Sequence, residues 1–127
     1  MSKKVLPATD LKDMAVSILD DMKAQDVTVL DVGQLTDVTD YMVIASGSSN
    51  RHVRSMAGEL RDRLRDREGL RALGVEGEDP GEWVLIDLGD VVVHIMRPQT
   101  REYYDLERLW SREVEELVRL NRDKTPE

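Results

Sequence analysis

The sequence has no cysteine and no phenylalanine, and aromatic residues make up only 4% of its 127 residues. Without cysteine the protein forms no disulfide and offers no thiolate ligand to a metal ion. Without phenylalanine, the 40% of hydrophobic residues must build a core from aliphatic side chains and methionine. The composition is that of a globular protein whose core is not aromatic.

Positive charge is also scarce, because 18 lysine and arginine residues face 26 aspartate and glutamate residues and leave a net charge of −8. Broad binding along a nucleic-acid backbone needs a basic surface, so this balance argues against it. An acidic protein is attracted to basic partners instead. The charge therefore indicates the sign of a partner's surface, and ribosomal proteins, histones and other cationic surfaces all satisfy it.

Long apolar segments are missing as well. The first ten residues carry charge but lack the apolar stretch of a secretory signal, and no run is long enough to span a bilayer. We therefore expect a cytoplasmic protein that does not bind membranes. The length suits one domain, which we place at residues 10–110, between a short leader at 1–9 and a C-terminal helical extension with a frayed tail at 111–127.

Apolar periodicity predicts the order helix, strand, strand, helix, strand, strand, helix. Residues Pro7 to Asp10 supply the start of the first helix, and the second is capped by Ser49 or Asn50 and ends at Gly69. Residues 70–82 are rich in glycine and acid and are predicted to be a connector. The strands and a last short helix are predicted at residues 27–32, 41–45, 83–88, 91–97 and 98–104. This order favours an α/β or α+β fold with a mixed β-sheet flanked by helices.

A further helix is predicted after the short one. Leu106, Leu109 and Trp110 share one helical face, which continues weakly through Val114, Leu117 and Leu120. The polar residues 121–127 are predicted to fray.

The turn Gly47-Ser48, between a buried strand and a helix, is the most suggestive catalytic feature, because N–H groups at a helix start can hold a phosphate. The turn lacks the lysine and the second glycine of known phosphate-binding loops. A nucleotidyltransferase would also need metal-binding carboxylates, and the candidates Asp87 and Asp90 form no D-x-D pair. Asp90 is better explained as a turn residue.

Histidine and serine give no stronger indication of catalysis. His52 and His94 are the only histidines, so a multi-histidine metal site would have to recruit carboxylates that no spacing indicates. His94 shares a strand face with Met96, which favours a core or interface residue over a ligand. The serines near residue 48 have no identifiable base and orienting acid. We predict no catalytic residue, no metal ion and no cofactor.

The few aromatic residues are concentrated between Trp83 and Trp110, a segment that holds both tryptophans and two of the three tyrosines. Side chains alternate along its first strand, with Trp83, Leu85 and Asp87 on one face and Val84, Ile86 and Leu88 on the other. Either face can be the inner one. An uncovered apolar face would mark a protein interface, and Trp83 would then anchor a partner instead of sealing the sheet edge.

Four segments occur in a characteristic order: TDYMVIASGSSNRHVRSMA, GVEGE, WVLIDLGDVVVHIM and REYYDLERLW. In this order they closely resemble the ribosomal silencing factor family, also called the Iojap or RsfS family. The resemblance spans about Leu11 to Trp110, and residues 111–127 extend past the point where the family pattern normally ends. It implies a nucleotidyltransferase-like fold without transferase activity, commonly as a homodimer.

The resemblance also implies a function. A member of this family binds the large ribosomal subunit through large-subunit ribosomal protein fourteen (uL14), blocks joining of the small subunit and so represses translation when nutrients are scarce. The family's contact region corresponds here to Trp83, His94, Met96, Arg101, Tyr103, Tyr104 and Leu106. The alternatives are a large-subunit assembly factor that uses the same surface, or a nucleotide-binding enzyme that uses Gly47, Ser48, Asp87 and Asp90.

Overall fold

The computed structural model describes residues 6–79, 81–104, 116, 118–120 and 122. Eight elements follow one another along residues 6–104: α1 (Ala8–Asp21), β1 (Gln25–Asp31), β2 (Tyr41–Ser46), α2 (Asn50–Glu68), β3 (Gly74–Glu76), β4 (Trp83–Asp87), β5 (Val91–Met96) and α3 (Pro98–Tyr104). Residues 116, 118–120 and 122 are also helical, and we call them the C-terminal segment.

The five strands form one mixed sheet in the order β1-β2-β5-β4-β3. The central strands β2 and β5 are parallel, and all other neighbours are antiparallel. Both central strands are buried almost throughout, which is why their sequences YMVIAS and VVVHIM are apolar without alternation. The predicted single-domain α+β fold with a mixed sheet is confirmed, whereas its nucleotidyltransferase-like assignment stays a prediction.

The helices α1 and α2 pack on one face of the sheet. Ser49 caps α2 by accepting a hydrogen bond from the N–H of His52 at 3.0 Å, and Gly69 ends the helix with φ +66°, as predicted. The core on this side is aliphatic and contains Leu11, Ile18, Leu19, Met56, Leu60 and Leu64 from the helices, and Val43, Ala45, Val84, Ile86, Val93 and Ile95 from the strands.

The opposite face of the sheet, which we call the distal face, is also buried. Its nine central side chains lie in three rows that follow the strand register across β2, β5 and β4. Row one is Ser46, Met96 and Trp83; row two is Ile44, His94 and Leu85; row three is Met42, Val92 and Asp87. Eight of the nine are buried and Trp83 is partly exposed, so the distal face of this chain is not an open apolar patch.

The prediction that residues 70–82 form only a connector is wrong. Residues Gly74–Glu76 pair with β4 as the edge strand β3, with Val75 opposite Ile86. Three residues with a single apolar side chain contain no period from which a strand can be predicted. Gly77 follows with φ +83°, and a Cβ there would overlap the carbonyl oxygen of Trp83, so only glycine allows this close approach.

The hairpin and the short helix agree with the predictions. β4 and β5 are antiparallel and turn at Gly89, which has φ +92°, and α3 begins at Pro98. Leu106 and Trp110 lie outside the described residues. Within the described part of the chain, no helix combines the length and the apolar character needed to cross a bilayer.

Candidate functional site

Trp83 and His94 are joined across the two strands of the hairpin. In the register Trp83 lies opposite Met96, and His94 opposite Leu85, so the two rings are diagonal neighbours on the distal face. The indole Nε1 of Trp83 donates a hydrogen bond to Nδ1 of His94 at 3.0 Å, and the ring centroids are 5.9 Å apart. The partly exposed indole is therefore held in one orientation by a fully buried histidine.

The protonation state of His94 follows from this bond. Since Nδ1 accepts a hydrogen from Trp83, the proton of the neutral ring is on Nε2. Burial lowers the pKa of His94 to about 3, because the charged imidazolium would lose its hydration. The ring is neutral at physiological pH, and Nε2 has no hydrogen-bond partner among the described residues.

Met96 lies between Trp83 and the central strand β2. It is fully buried in a cluster with Val32, Met42 and Ile44, and Trp83 packs against the edge of that cluster. The predicted contact residues Trp83, His94 and Met96 are thus adjacent, with the indole outermost. The other two are inaccessible in this state of the chain.

Arg101 connects α3 to the end of the sheet. Its side chain is only 7% exposed, and its Nη1 and Nη2 donate to Oγ of Ser46 and to Oγ1 of Thr28, both at 2.9 Å. Ser46 belongs to the same cross-strand row as Met96 and Trp83. Arg101 therefore holds α3 beside the row that contains the tryptophan.

Of the remaining predicted contact residues, Tyr103 presents most of its side chain, which is 82% exposed. Tyr104 is the last residue of α3, and the structure describes only its backbone. Leu106 lies outside the described residues. The structure thus brings four of the predicted residues, Trp83, His94, Met96 and Arg101, to one end of the distal face, and places Tyr103 on the adjoining helix.

Two residues of the C-terminal segment were not predicted as part of this surface. Val118 is fully buried with Val38, Leu85 and Val92. Arg122 forms a two-point ion pair with the buried Asp87, with Nε 2.6 Å from Oδ2 and Nη2 2.9 Å from Oδ1. This arrangement raises the pKa of Arg122, first through the hydrogen bond to Asp87 and further through its charge.

These contacts bear on two expectations about the C-terminal segment. Fraying is predicted for residues 121–127, of which the structure describes Arg122; this residue is held by the carboxylate of Asp87 and by the carbonyl oxygen of Gly89 at 3.0 Å, and the others lie outside the described residues. Leu120 was predicted on the apolar face but is 55% exposed, while Val118 is buried. Among the described residues of the segment, Val118 and Arg122 are the two that pack, and their spacing of four places them on one helical face.

The Gly47-Ser48 turn is closed by its own neighbours. The N–H of Ser48 donates to Nδ1 of His52 at 2.9 Å, and Nε2 of His52 is 2.8 Å from the carbonyl oxygen of Met22. A Cβ on Gly47 would lie 2.7 Å from Cγ2 of Val53, so the glycine is required by close packing. The N–H that a phosphate would need is already engaged.

Of the two aspartates considered as metal ligands, Asp87 has both carboxylate oxygens engaged, and Asp90 lies in the turn and contributes its backbone carbonyl to hydrogen bonds. Both oxygens of Asp87 bind Arg122, and Oδ1 further accepts the N–H of Gly89 at 2.9 Å. The backbone carbonyl of Asp90 accepts the N–H groups of Asp40 and Tyr41. In the described ranges, no three histidine, aspartate or glutamate side chains are grouped to hold a metal ion.

The fold and this surface define a small α+β protein whose candidate site is built around a partly exposed tryptophan. Comparison with known proteins identifies the family. The family model described as "Ribosomal silencing factor during starvation" matches residues 6–127. The chain belongs to the ribosomal silencing factor (RsfS) family.

Individual relatives agree with this assignment. The chain is 43% identical to ribosomal silencing factor RsfS of Chromobacterium violaceum over 101 residues, which are 80% of this chain and 82% of that protein. It is 41% identical to the Bacillus subtilis protein of the same name over 97 residues, 76% and 81% of the two chains. It is also 38% identical to a mouse protein named mitochondrial assembly of ribosomal large subunit protein 1, covering 78% of this chain and 44% of that one.

The fold is shared as well. A crystal structure of a Chromobacterium violaceum protein has a TM-score of 0.80 and 41% sequence identity, with 83% of this chain and 87% of that chain covered. The family match also corrects the expectation that residues 111–127 lie beyond the family pattern, because the matched range includes them.

Proposed function

We propose that this protein binds the large ribosomal subunit through large-subunit ribosomal protein fourteen (uL14) and prevents the small subunit from joining. Family membership supports the ribosome as the target. One observation supports the proposed contact surface. The indole of Trp83 is partly exposed and is oriented by His94, and it lies at the end of the distal face where α3 presents Tyr103. A rigid aromatic side chain of this kind is a typical anchor of a protein interface.

The proposed mechanism is steric. A protein of 14.5 kDa docked on the intersubunit face of the large subunit occupies space that the small subunit needs. No bond is made or broken, so the protein acts as a regulator in the cytoplasm and not as an enzyme. Its net charge of −8 favours a basic ribosomal partner over ribosomal RNA.

The test is co-sedimentation with separated ribosomal subunits, followed by a subunit-joining assay. We expect binding to the large subunit alone, with joining suppressed in proportion to the occupied fraction. Large subunits that are saturated with this protein and still join small subunits at the normal rate would overturn the steric mechanism.

A large-subunit assembly factor is the second candidate, because the mouse relative is named for that process. Depletion of the protein separates the two functions. Immature large subunits that accumulate while mature subunits join normally would favour assembly. Normal large subunits that join too readily during starvation would favour silencing.

The free protein is proposed to be a homodimer. Light scattering of the free protein is expected to give about twice its monomer mass of 14.5 kDa. A dimer that dissociates when large subunits are added would indicate that the dimer surface and the partner surface overlap.

A further inference from the structure

The C-terminal segment lies on the same sheet face as the proposed docking residues. Val118 packs on Leu85 and Val92, and Arg122 binds Asp87, so the segment covers rows two and three of the distal face. Trp83 and Met96 form row one of that face. The face is therefore shared between a surface proposed for a partner and a segment of the protein's own chain.

The dimensions of the face make the two occupants incompatible. At about 3.3 Å per strand residue, row three lies only ~13 Å from row one. A standard interface buries about 800 Å² on each partner, which is a patch ~28 Å across. A partner centred on Trp83 would extend over Leu85 and Asp87, where Val118 and Arg122 now lie.

The charge of Asp87 specifies what must replace the segment. Asp87 is fully buried, and it is acidic, unlike the other eight residues of the three rows. A buried carboxylate that loses its cation without gaining water is strongly unfavourable. A partner that covers this end of the face must therefore bring its own cation, and a guanidinium matches the two-point geometry that Arg122 now uses.

Among the described residues of the segment, Val118 and Arg122 contact the sheet, and Glu116 and Leu120 are exposed. An interface of standard size is large enough to replace the contacts of these two side chains.

We propose that the C-terminal segment is an intramolecular competitor for the docking surface, displaced when a basic partner supplies an aliphatic side chain and an arginine to the positions of Val118 and Arg122. This inference rests on the proposed function, because it assigns a regulation to the same surface. In the free protein the segment protects the apolar face and lowers the apparent affinity for the partner.

The test uses full-length variants and large ribosomal subunits. Arg122→Glu places a carboxylate against Asp87, and Val118→Ser removes the apolar contact without changing the charge. Each variant is expected to bind large subunits about fivefold more tightly than the wild type, the lower end of typical coupling between competing states. Arg67→Glu is the charge-matched control, because it makes the same charge change on an exposed side chain in the last turn of α2, which packs on the other face of the sheet, and it is expected to bind like the wild type.

Amide hydrogen exchange of the free proteins provides the second readout. In Arg122→Glu and Val118→Ser, the amide hydrogens of the C-terminal segment should exchange faster than in the wild type. Those of β2 and β5 should stay protected, which also shows that the fold is intact. If Val118→Ser exchanges faster but binds no more tightly than the wild type, the competition is overturned and the proposed function stands. If Arg67→Glu gains as much affinity as Arg122→Glu while Val118→Ser gains none, the change in net charge explains the gain and the competition is again overturned. If no form binds the large subunit, the proposed function itself fails.

Discussion

At the scale of single residues, the site depends on one buried polar contact. His94 is neutral and fully enclosed, and it accepts the indole hydrogen of Trp83 at 3.0 Å. A neutral acceptor in this position orients the indole and avoids placing a charge in the apolar centre of the sheet. The tryptophan can therefore contribute its area to an interface with little loss of side-chain entropy on binding.

The first prediction concerns the anchor. Trp83→Ala is expected to fold but to bind large subunits at least about twentyfold more weakly, because a central aromatic anchor contributes ~2 kcal/mol or more. Trp83→Phe is the matched control, since it keeps most of the apolar area and loses the N–H, and it should retain part of the affinity. Circular dichroism checks the fold and a titration with large subunits measures the affinity. Undiminished binding by Trp83→Ala would place the anchor elsewhere.

The second prediction concerns pH. Burial lowers the pKa of His94 to about 3, so below pH 6.5 the unfolded chain binds a proton that the folded chain does not. Stability due to this residue is complete above pH 6.5 and is lost as the pH falls towards 3. Between pH 7 and pH 5 the wild type should lose about 2 kcal/mol more than His94→Gln, which has no titrating ring. Urea unfolding at both pH values measures the difference, and equal losses in the two proteins would show that His94 is protonated in the folded state.

At the scale of elements, the helices and strands that could be predicted are those whose apolar residues recur with a clear local spacing. The amphipathic spacing in α1 and α2, the cap at Ser49 and the stop at Gly69 are local features, and each was predicted correctly. The strand β3 was missed, because its pairing with β4 depends on the approach of a neighbour and not on its own three residues. Propensity is weakest where tertiary contacts determine the structure.

The candidate site, like the fold, could be predicted only where it depends on local sequence patterns. Alternation along the hairpin puts Trp83 and Leu85 on one strand face, but both faces are apolar, so the sequence could not show which face meets α1 and α2. The hydrogen bond from Arg101 to Ser46 requires the parallel register of β2 and β5, which no local sequence pattern indicates. The Arg122 ion pair joins residues 35 positions apart and has no local pattern.

The third prediction compares two glycines. Gly77→Ala should destabilise the protein by about 2 kcal/mol or more, because it combines a positive φ with an overlap at the carbonyl of Trp83. Gly58→Ala, inside α2, meets no atom within 4 Å and should stabilise the protein by about 0.5–1 kcal/mol through helix propensity. Urea unfolding gives both values. A neutral Gly77→Ala would mean that the chain between β3 and β4 is free to move away from Trp83.

At the scale of the whole molecule, charge and shape act together. The sheet is covered by α1 and α2 on one face and is buried on its distal face as well, so few large apolar side chains are exposed among the described residues. A net charge of −8 keeps such a molecule soluble and attracts it to a basic surface. In the proposed function, recognition would combine this long-range attraction with the short-range contact of Trp83.

The fourth prediction concerns salt. Raising the ionic strength should slow association with large subunits, because the attraction is screened over about 10 Å at 0.1 M salt, and dissociation should change much less. Stopped-flow binding of labelled protein separates the two rate constants. An association rate that does not depend on salt would show that the net charge has no part in the encounter. Trp83→Ala should show the opposite pattern, with faster dissociation and nearly normal association.

The central position of β5, parallel to β2, has a consequence for how the chain folds during its own synthesis. The central strand β5 is the last strand among residues 6–104 to be synthesised, and it must be inserted between β2 and β4, which precede it. Until residues 91–96 have left the exit tunnel, the pair β1-β2 and the pair β4-β3 are not joined, and α1 and α2 have no complete sheet to pack on. The complete sheet of this protein can therefore assemble only after β5 has emerged, and contacts between segments so far apart in sequence form slowly.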